Sequence, residues 1–252
     1  MKTFGLIGYP LSHSFSQQYF IEKFERENIT DCEFKNFPLE NINDFPVLLK
    51  NNPSLCGLSV TIPHKQSVRR FLDDVDDVAR KVGAVNCIKI NRKSENGKWK
   101  LLGFNTDVYG FEKSLVPLLK THHERALILG TGGAAQAVAR ALINLNIDFL
   151  FLTRENHPKQ LNRHSYSLVH DGYLMEHLII INATPAGMFP NSNECPPIPY
   201  EYLTPQHLLY DLVYNPEETL FLRKGKEKGV LTKNGLEMLQ LQAEKAWEIW
   251  NS

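Results

Sequence analysis

The stretch Leu127-Ile128-Leu129-Gly130-Thr131-Gly132-Gly133-Ala134-Ala135 decides the fold of the second half of this chain. The apolar run Arg125–Leu129 predicts a strand before the glycines, and the Ala-rich run Ala134–Leu145 predicts a helix after them. Gly130 permits a tight turn, and Gly132 lets the backbone approach a phosphate because no Cβ stands in the way. The helix N-terminus then presents N–H groups and partial positive charge to that phosphate. This strand–turn–helix pattern predicts a dinucleotide-binding unit of the Rossmann type.

The identity of the dinucleotide depends on the residues after the next predicted strand. Arg154 and Glu155 stand there. A site for NAD usually has an acid at this place, about 20 residues beyond the glycines, to bind the ribose hydroxyls. A cation instead suits the 2′-phosphate of NADP, so Arg154 favours NADP, although the alternative that it is a solvated surface residue stays open.

Short apolar runs alternate with helix-like segments along the chain, which predicts an α/β fold with parallel sheets covered by helices. The predicted strands are Thr3–Gly8, Cys32–Phe37, Leu55–Ile62, Ala84–Ile90, Lys100–Phe104, Arg125–Leu129, Phe149–Thr153, Leu178–Asn182 and Leu208–Val213. The predicted helices include Phe15–Glu27, Ile42–Lys50, Ala134–Leu145 and Leu236–Trp250. Asn96-Gly97 predicts a hairpin turn, and the Pro-rich patch Glu194–Pro205 predicts a surface loop.

We interpret this pattern as two α/β domains with a ligand-binding cleft between them. The N-terminal domain, with a mainly parallel sheet, covers residues 1–107 and is joined by the C-terminal helix 236–252. The dinucleotide-binding Rossmann domain covers residues 108–235.

The composition of the chain is ordinary for a globular protein, with 42% hydrophobic and 22% charged residues. The chain has 252 residues and equal numbers of acidic and basic side chains, which gives no sign of a nucleic-acid partner or a membrane surface. It has no predicted signal peptide or membrane helix, so we expect a cytoplasmic protein. The four cysteines form no C-x-x-C pair and are expected to be reduced thiols, and no histidine spacing predicts a metal site.

Several polar clusters follow predicted strands in the first half. Each alone has an ordinary explanation: Ser12 and Ser14 could cap a helix, Lys65 could be solvated, Asn86 could be a turn residue and Asp107 an N-cap. Taken together and in this order, they are not explained by chance.

The ordered motifs resemble those of the shikimate dehydrogenase family over nearly the whole chain, from Gly8 to about Trp250. They are S-H-S at 12–14, V-T-I-P-H-K at 60–65, G-A-V-N at 83–86, G-F-N-T-D at 103–107, G-T-G-G-A-A at 130–135, N-A-T-P-A-G-M at 182–188, D-L-V-Y-N-P at 211–216 and N-G-L-E-M-L-Q-L-Q-A at 234–243. The resemblance implies an NADP-dependent oxidoreductase that acts on a CH–OH group. It would reversibly reduce 3-dehydroshikimate to shikimate in aromatic amino acid (chorismate) biosynthesis.

The resemblance also implies roles for individual residues. Lys65 and Asp107 would form the catalytic pair, and Ser12 and Ser14 would bind the substrate carboxylate. The substrate-binding set is Ser12, Ser14, Thr61, Lys65, Asn86, Asp107, Tyr214 and Gln242. The NADP-binding set is Gly130, Thr131, Gly132, Gly133, Ala134, Ala135, Thr153, Arg154, Ala183, Thr184, Met188, Val213, Gly235 and Met238. The last helix would return to the first domain and bring Gln242 with it.

The residue types suit the chemistry. Hydride addition to a carbonyl carbon requires a group that stabilises charge on the oxygen and a proton donor. Lys65 can do either, so no metal is required, and the sequence leaves open which member of the pair transfers the proton. A monomer and a homodimer both remain open.

The sequence departs from the family pattern in two places. The family's N-R-T triplet is Thr153-Arg154-Glu155 here, which leaves open the strength of the preference for NADP over NAD. The segment Ser165–His177 is short, which predicts a reduced helix.

Three other functions compete with this interpretation. A relative that also oxidises quinate and accepts NAD would have an acid in place of Arg154. A catalytically silent sensor of pathway intermediates or nucleotides would lack Lys65 or Asp107. A reductase of unrelated substrate would not need the serine pair together with Lys65 and Asp107.

Overall fold

The computed structural model of the chain describes residues 1–11, 15–91, 99–154, 163–166 and 171–252. The chain forms two compact units. The first comprises Met1–Thr106 and Gln242–Ser252, and the second comprises Asp107–Leu241. Each unit contains a six-stranded sheet, so the predicted α/β class with two sheets is confirmed.

The secondary structure follows the chain in an alternating order. The described strands are β1 (Lys2–Gly8), β2 (Cys32–Pro38), β3 (Leu55–Val60), β4 (Asp74–Val75), β5 (Cys87–Asn91), β6 (Lys100–Phe104), β7 (Arg125–Leu129), β8 (Asp148–Thr153), β9 (Arg163–Ser165), β10 (Ile179–Asn182), β11 (Leu208–Asp211) and β12 (Leu231–Lys233). The described α-helices are α1 (Phe15–Arg26), α2 (Phe45–Asn51), α3 (Asp77–Val82), α4 (Asp107–Leu115), α5 (Gly133–Asn144), α6 (Asp171–Glu176), α7 (Leu220–Lys226) and α8 (Leu236–Asn251). Short 3-10 helices cover Ile42–Asp44, Ser67–Phe71, Val116–Leu118 and Tyr200–Tyr202.

The sheet of the first unit has the order β2-β1-β3-β5-β6-β4. β1 pairs in parallel with β2 and β3, and β4 pairs in parallel with β6, whereas β5 is antiparallel to β3 and β6. Because β1 and β3 are parallel, their carboxyl ends lie at the same edge of the sheet. The backbone N–H of Tyr9 there donates to the carbonyl of Ile62 at 3.0 Å.

The C-terminal part of α8 packs against this sheet. The indole Nε1 of Trp250 donates to the carbonyl of Ile88 at 3.1 Å, and its ring stacks on Phe4 at 5.1 Å between centroids. A Cβ at Gly57 would lie 2.4 Å from the Trp250 ring. The glycine therefore allows the helix to approach the strand closely, and it ties Gln242, which lies on the same helix, to the first unit.

The sheet of the second unit has the order β12-β11-β10-β7-β8-β9, and all its strand pairs are parallel. Numbered within the unit, this is the 3-2-1-4-5-6 order of dinucleotide-binding folds. The central strands are apolar on both faces because helices cover the sheet, and Leu127, Ile180 and Leu209 are completely buried. The Rossmann prediction is therefore confirmed.

Several detailed predictions are confirmed and others are corrected. β5 and β6 are antiparallel as predicted, although the Asn96-Gly97 turn lies outside the described residues. The reduced helix is α6, with six residues. The predicted strand at Ala84 begins instead at Cys87, because Gly83 ends α3 with φ +75° and a loop follows.

The Pro-rich patch Glu194–Pro205 is not wholly a surface loop. Ile198 and Leu203 are buried in the core of the second unit, and a 3-10 helix covers Tyr200–Tyr202. The prediction of a surface loop is wrong for these residues, because prolines interrupt helices and strands without requiring that the chain be exposed.

Candidate active site

The first group of predicted site residues follows β3. The backbone N–H of Thr61 donates to the carbonyl of Ile7 at 2.9 Å, and the N–H of His64 donates to the carbonyl of Thr61 at 2.9 Å. The buried His64 ring bonds through Nε2 to the carbonyl of Leu39. These bonds fix the turn that ends at Lys65, whose side chain is half-buried.

A backbone bond connects this turn to the next predicted motif. The N–H of Val85 donates to the carbonyl of Lys65 at 2.7 Å. Arg69 also donates to the carbonyl of Gly83 at 3.2 Å. The V-T-I-P-H-K segment and the G-A-V-N loop are therefore held side by side, with Lys65 and Asn86 on adjacent pieces of chain.

Asn86, Thr106 and Gln242 form a buried polar cluster in the first unit. Their side chains are 3%, 1% and 7% exposed. The Asn86 amide nitrogen donates to the Thr106 hydroxyl at 3.0 Å and to Gln242 Oε1 at 3.3 Å. In return, Asn86 Oδ1 accepts the Thr106 backbone N–H at 2.7 Å. The structure thus brings together two predicted substrate-binding amides, Asn86 and Gln242, that are 156 positions apart in the chain.

Thr106 joins this cluster but was not among the predicted site residues. Its hydroxyl lies 3.3 Å from Gln242 Oε1, so it connects both amides. The available signal was its place between Asn105 and Asp107 in G-F-N-T-D, at the end of a strand. Asn105 also donates to the carbonyl of Ala84 at 3.0 Å, which fixes the chain immediately before the buried Asp107 at the start of α4.

The glycine-rich turn of the second unit has the geometry that an anion site requires. Gly130 has φ +99°, and a Cβ there would lie 2.8 Å from Thr184 Cγ2. A Cβ at Gly132 would meet nothing within 4 Å, so the backbone at this point faces open space. Among the described residues, no side chain caps α5 at Gly132, and the first turn of α5 contains no acidic residue. The first N–H groups of α5 therefore suit a phosphate.

Arg154 stands at the same edge of the second sheet as this turn. β8 is parallel to β7, and the N–H of Gly130 donates to the carbonyl of Leu152 at 2.9 Å. Thr153 is buried, whereas Arg154 is exposed. Burial raises the pKa of Tyr166 to about 12, and the charge of Arg154 acts in the opposite direction on that pKa. Glu155 lies outside the described residues.

Several other predicted cofactor residues lie in the loops that follow β10 and β11. The N–H of Ala183 donates to the carbonyl of Leu129, and the N–H of Gly235 to the carbonyl of Val213, at 3.0 and 3.2 Å. A Cβ at Gly235 would lie 2.2 Å from the carbonyl oxygen of Leu212, so only glycine fits there. Val213 and Met238 are buried, and Met188 is 47% exposed.

Asp211 accepts hydrogen bonds from Asn182 and from the backbone of Val213, and it was not predicted as a site residue. It is completely buried at the end of β11, and burial raises the pKa of its carboxyl group to about 7. Tyr214, three residues further on, is half-buried, and burial likewise raises the pKa of its phenol.

Two further predicted residues, Ser12 and Ser14, lie outside the described part of the chain. Among the residues that the structure does describe, no group of three or more His, Cys, Asp or Glu side chains is placed to hold a metal ion. The helices of those residues also include none long and apolar enough to cross a membrane.

Comparison with known proteins gives the same family over the full chain. The profile of the shikimate dehydrogenase substrate binding domain matches residues 6–88. The shikimate dehydrogenase (NADP(+)) of Desulforamulus reducens is 38% identical over 98% of this chain and 88% of its own length.

Solved structures share the complete fold. Shikimate dehydrogenase 1 from Peptoclostridium difficile is 36% identical with a TM-score of 0.82, over 100% of this chain and 92% of that one. The shikimate 5-dehydrogenase of Thermus thermophilus, solved in complex with NADP(H) and shikimate, is 29% identical with a TM-score of 0.84, over 99% and 93%. A 5-ketofructose reductase of a Gluconobacter species also matches, at 27% identity and a TM-score of 0.81, over 99% and 92%.

The fold alone does not choose among these activities, because one fold can carry several chemistries. The relative from Desulforamulus reducens, however, exceeds 30% identity over nearly the whole chain. This chain belongs to the shikimate dehydrogenase family.

Proposed function

We propose that this chain catalyses the reversible NADPH-dependent reduction of 3-dehydroshikimate to shikimate, a step of aromatic amino acid (chorismate) biosynthesis. The observation that carries the proposal is the buried cluster in which Asn86 meets Gln242 through Thr106. The hydrogen bonds of the cluster would keep both amides fixed, since buried amides are costly unless they are hydrogen-bonded, so that they could recognise the hydroxyls of a small polyol acid.

We propose the first unit as the substrate-binding and catalytic domain and the second as the NADP-binding domain. In the second unit, the turn Gly130–Ala135 would hold the pyrophosphate, and Thr153 with Arg154 would hold the 2′-phosphate side. The nicotinamide end would lie against a last set of residues: Ala183, Thr184, Met188, Val213, Gly235 and Met238. Bound NADPH supplies the hydride. The open space beside Gly132 and the uncapped α5 fit this assignment.

The substrate would be held by hydroxyl, amide and charged groups. Ser12 and Ser14 would bind its carboxylate. The ring hydroxyls would be held by Thr61, Asn86 and Asp107, with Lys65. Tyr214 and Gln242 would complete the substrate pocket. The amide of Asn86 is already oriented by its bonds to Thr106, so it would lose little conformational entropy on binding.

Lys65 and Asp107 would carry out the proton chemistry. As the carbonyl carbon accepts hydride, negative charge develops on its oxygen, and the Lys65 ammonium group would stabilise that charge. One proton must then reach the oxygen, from Lys65 or Asp107, to complete the alcohol. In the oxidation direction the same group, in its deprotonated form, takes the hydroxyl proton. The backbone bonds around Lys65 fix the start of its side chain for this role.

The cellular setting is also part of the proposal. We propose a cytoplasmic enzyme, monomeric or homodimeric, that acts on free small molecules. All four cysteines are free thiols, which fits a reducing compartment.

Initial rates with three substrates test the proposal. Shikimate and quinate are each oxidised with NADP⁺ and with NAD⁺, and 5-ketofructose is offered with NADPH. We expect the highest kcat/KM for shikimate with NADP⁺. Quinate with NAD⁺ as the best pair would overturn the substrate assignment, and turnover of 5-ketofructose alone would assign the chain to a different reductase. Binding of shikimate without any turnover would support a silent sensor.

A further inference from the structure

Asp211 is a buried carboxyl group that the proposed chemistry does not use. It ends β11 in the second unit and is 0% exposed. Its oxygens accept hydrogen bonds from the Thr219 hydroxyl at 2.6 Å, the Asn182 amide nitrogen at 2.9 Å and the Val213 backbone N–H at 3.0 Å. Such a site is hard to explain by stability alone, because an apolar side chain would avoid the desolvation of a carboxyl group.

The bond to Asn182 extends to the loop after β10. Asn182 Oδ1 accepts the backbone N–H of Thr184 at 3.1 Å and its hydroxyl at 2.6 Å. The Asn182 amide nitrogen also donates to the carbonyl of Ala186 at 3.1 Å. Asp211 therefore holds the side chain that organises the turn 183–186.

The bonds to Val213 and Thr219 control the loop after β11. The Val213 N–H bond fixes the direction in which the chain leaves the strand, immediately before Tyr214. Thr219 is the N-cap of α7, where its hydroxyl also accepts the N–H of Leu222 at 3.4 Å. One carboxyl group thus joins the end of β10, the end of β11 and the start of α7.

We propose that Asp211 is a positioning residue that fixes the loops after β10 and β11 and thereby sets the affinity of the chain for the nicotinamide end of NADP(H). The inference rests on the proposed function, which places Ala183, Thr184 and Val213 beside the nicotinamide. Val213 bonds directly to Asp211. Ala183 and Thr184 directly follow Asn182, whose side chain also bonds to Asp211. The effect should therefore be confined to ligands that carry a nicotinamide.

The test uses the full chain and equilibrium binding, so that it does not depend on turnover. Dissociation constants are measured for NADPH and for 2′-phospho-ADP-ribose, which lacks the nicotinamide. Asp211→Asn keeps the shape but replaces one carboxylate oxygen by a donor. We expect this variant to raise the dissociation constant of NADPH about tenfold, which is the scale of one hydrogen bond to a charged group. The dissociation constant of 2′-phospho-ADP-ribose should stay within about twofold of the wild-type value.

Tyr210→Phe is the matched control. It also removes a buried hydrogen bond of β11, the 2.7 Å bond between the Tyr210 and Ser114 hydroxyls, but it leaves both loops intact. We expect normal affinity for both ligands even if this variant unfolds at a lower temperature.

A second pair of variants tests the inference if Asp211→Asn does not fold. Thr219→Val removes the hydroxyl that bonds to Asp211, and Thr219→Ser retains it. We expect weaker NADPH binding in the valine variant and normal binding in the serine variant. The inference is overturned if NADPH binding is unchanged in Asp211→Asn, or in Thr219→Val where the asparagine variant does not fold. It is also overturned if Asp211→Asn weakens the binding of both ligands equally, or if Tyr210→Phe weakens NADPH binding as much as Asp211→Asn does. A wild type that binds NADPH but does not oxidise shikimate would contradict the proposed function alone.

Discussion

Lys65 is the residue on which the proposed chemistry depends most. We expect Lys65→Ala to lower kcat about a hundredfold or more, because a positioned acid or electrostatic group contributes on that scale, and to change KM much less. Steady-state kinetics with shikimate and NADP⁺ measure both. Lys81→Ala, at an exposed lysine of α3, is the control and should behave as the wild type. A near-normal kcat for Lys65→Ala would contradict the catalytic assignment.

Ser12 and Ser14 test how the substrate carboxylate is recognised. The double substitution to Ala should raise KM for shikimate with little change in the KM for NADP⁺, because two hydroxyl donors to an anion are lost. Simple helix capping gives the opposite pattern, with a lower melting temperature and unchanged KM. Kinetics and thermal unfolding of the same double variant decide between the two roles.

Arg154 tests the choice of cofactor. One hydrogen bond to a charged group contributes about 1.5–3 kcal/mol, which corresponds to roughly 10- to 100-fold discrimination between NADP and NAD. We expect Arg154→Ala to remove most of the preference for NADP and to leave kcat/KM with NAD nearly unchanged. Glu155→Thr should widen the preference because it removes a negative charge. Equal use of both cofactors by the wild type would contradict this account.

Among the structural elements, β11 gives a prediction about pH. Burial raises the pKa of Asp211 from 3.8 in the unfolded chain to about 7 in the fold. Between these values the folded state binds more protons than the unfolded state, so this carboxyl group lowers the free energy of unfolding as pH rises. The loss is complete above about pH 7, where the buried group is charged.

Between about pH 4 and about pH 8, the free energy of unfolding should therefore decrease less in Asp211→Asn than in the wild type. Chemical unfolding across this range measures the difference, which we expect to reach a few kcal/mol because one pH unit corresponds to about 1.4 kcal/mol. The buried histidines His123, His177 and His207 titrate in both proteins and cancel in the comparison. If the free energy of unfolding depended on pH in the same way in both proteins, the raised pKa of Asp211 would be contradicted.

The elements also show what the sequence could predict. The glycine-rich turn between β7 and α5 was predictable because its glycines, the apolar strand and the Ala-rich helix all lie within one local stretch. The strands β4, β9 and β12 were not, because two or three residues are too few to show periodicity. The role of Asp211 was hidden for another reason, since neither its burial nor its partners 29 and 8 positions away are visible in D-L-V-Y-N-P.

At the scale of the whole molecule, the cluster of Asn86, Thr106 and Gln242 depends on the path of the chain. α8 starts within the second unit, and its C-terminal part belongs to the first, where Trp250 packs on Phe4 and bonds to Ile88. Family motifs predicted that Gln242 returns to the first domain, but only the fold shows that it bonds to Asn86. The sequence distance between them exceeds the range of any local pattern.

Transfer of a labelled hydride tests the central claim most directly. The wild-type chain is incubated with 3-dehydroshikimate and NADPH that carries deuterium at both C4 positions of the nicotinamide, and the product is analysed by mass spectrometry and NMR. The account predicts shikimate with one deuterium on the newly formed carbinol carbon for each NADPH consumed. NADPH that remains unconsumed, or shikimate that forms without deuterium, would contradict it.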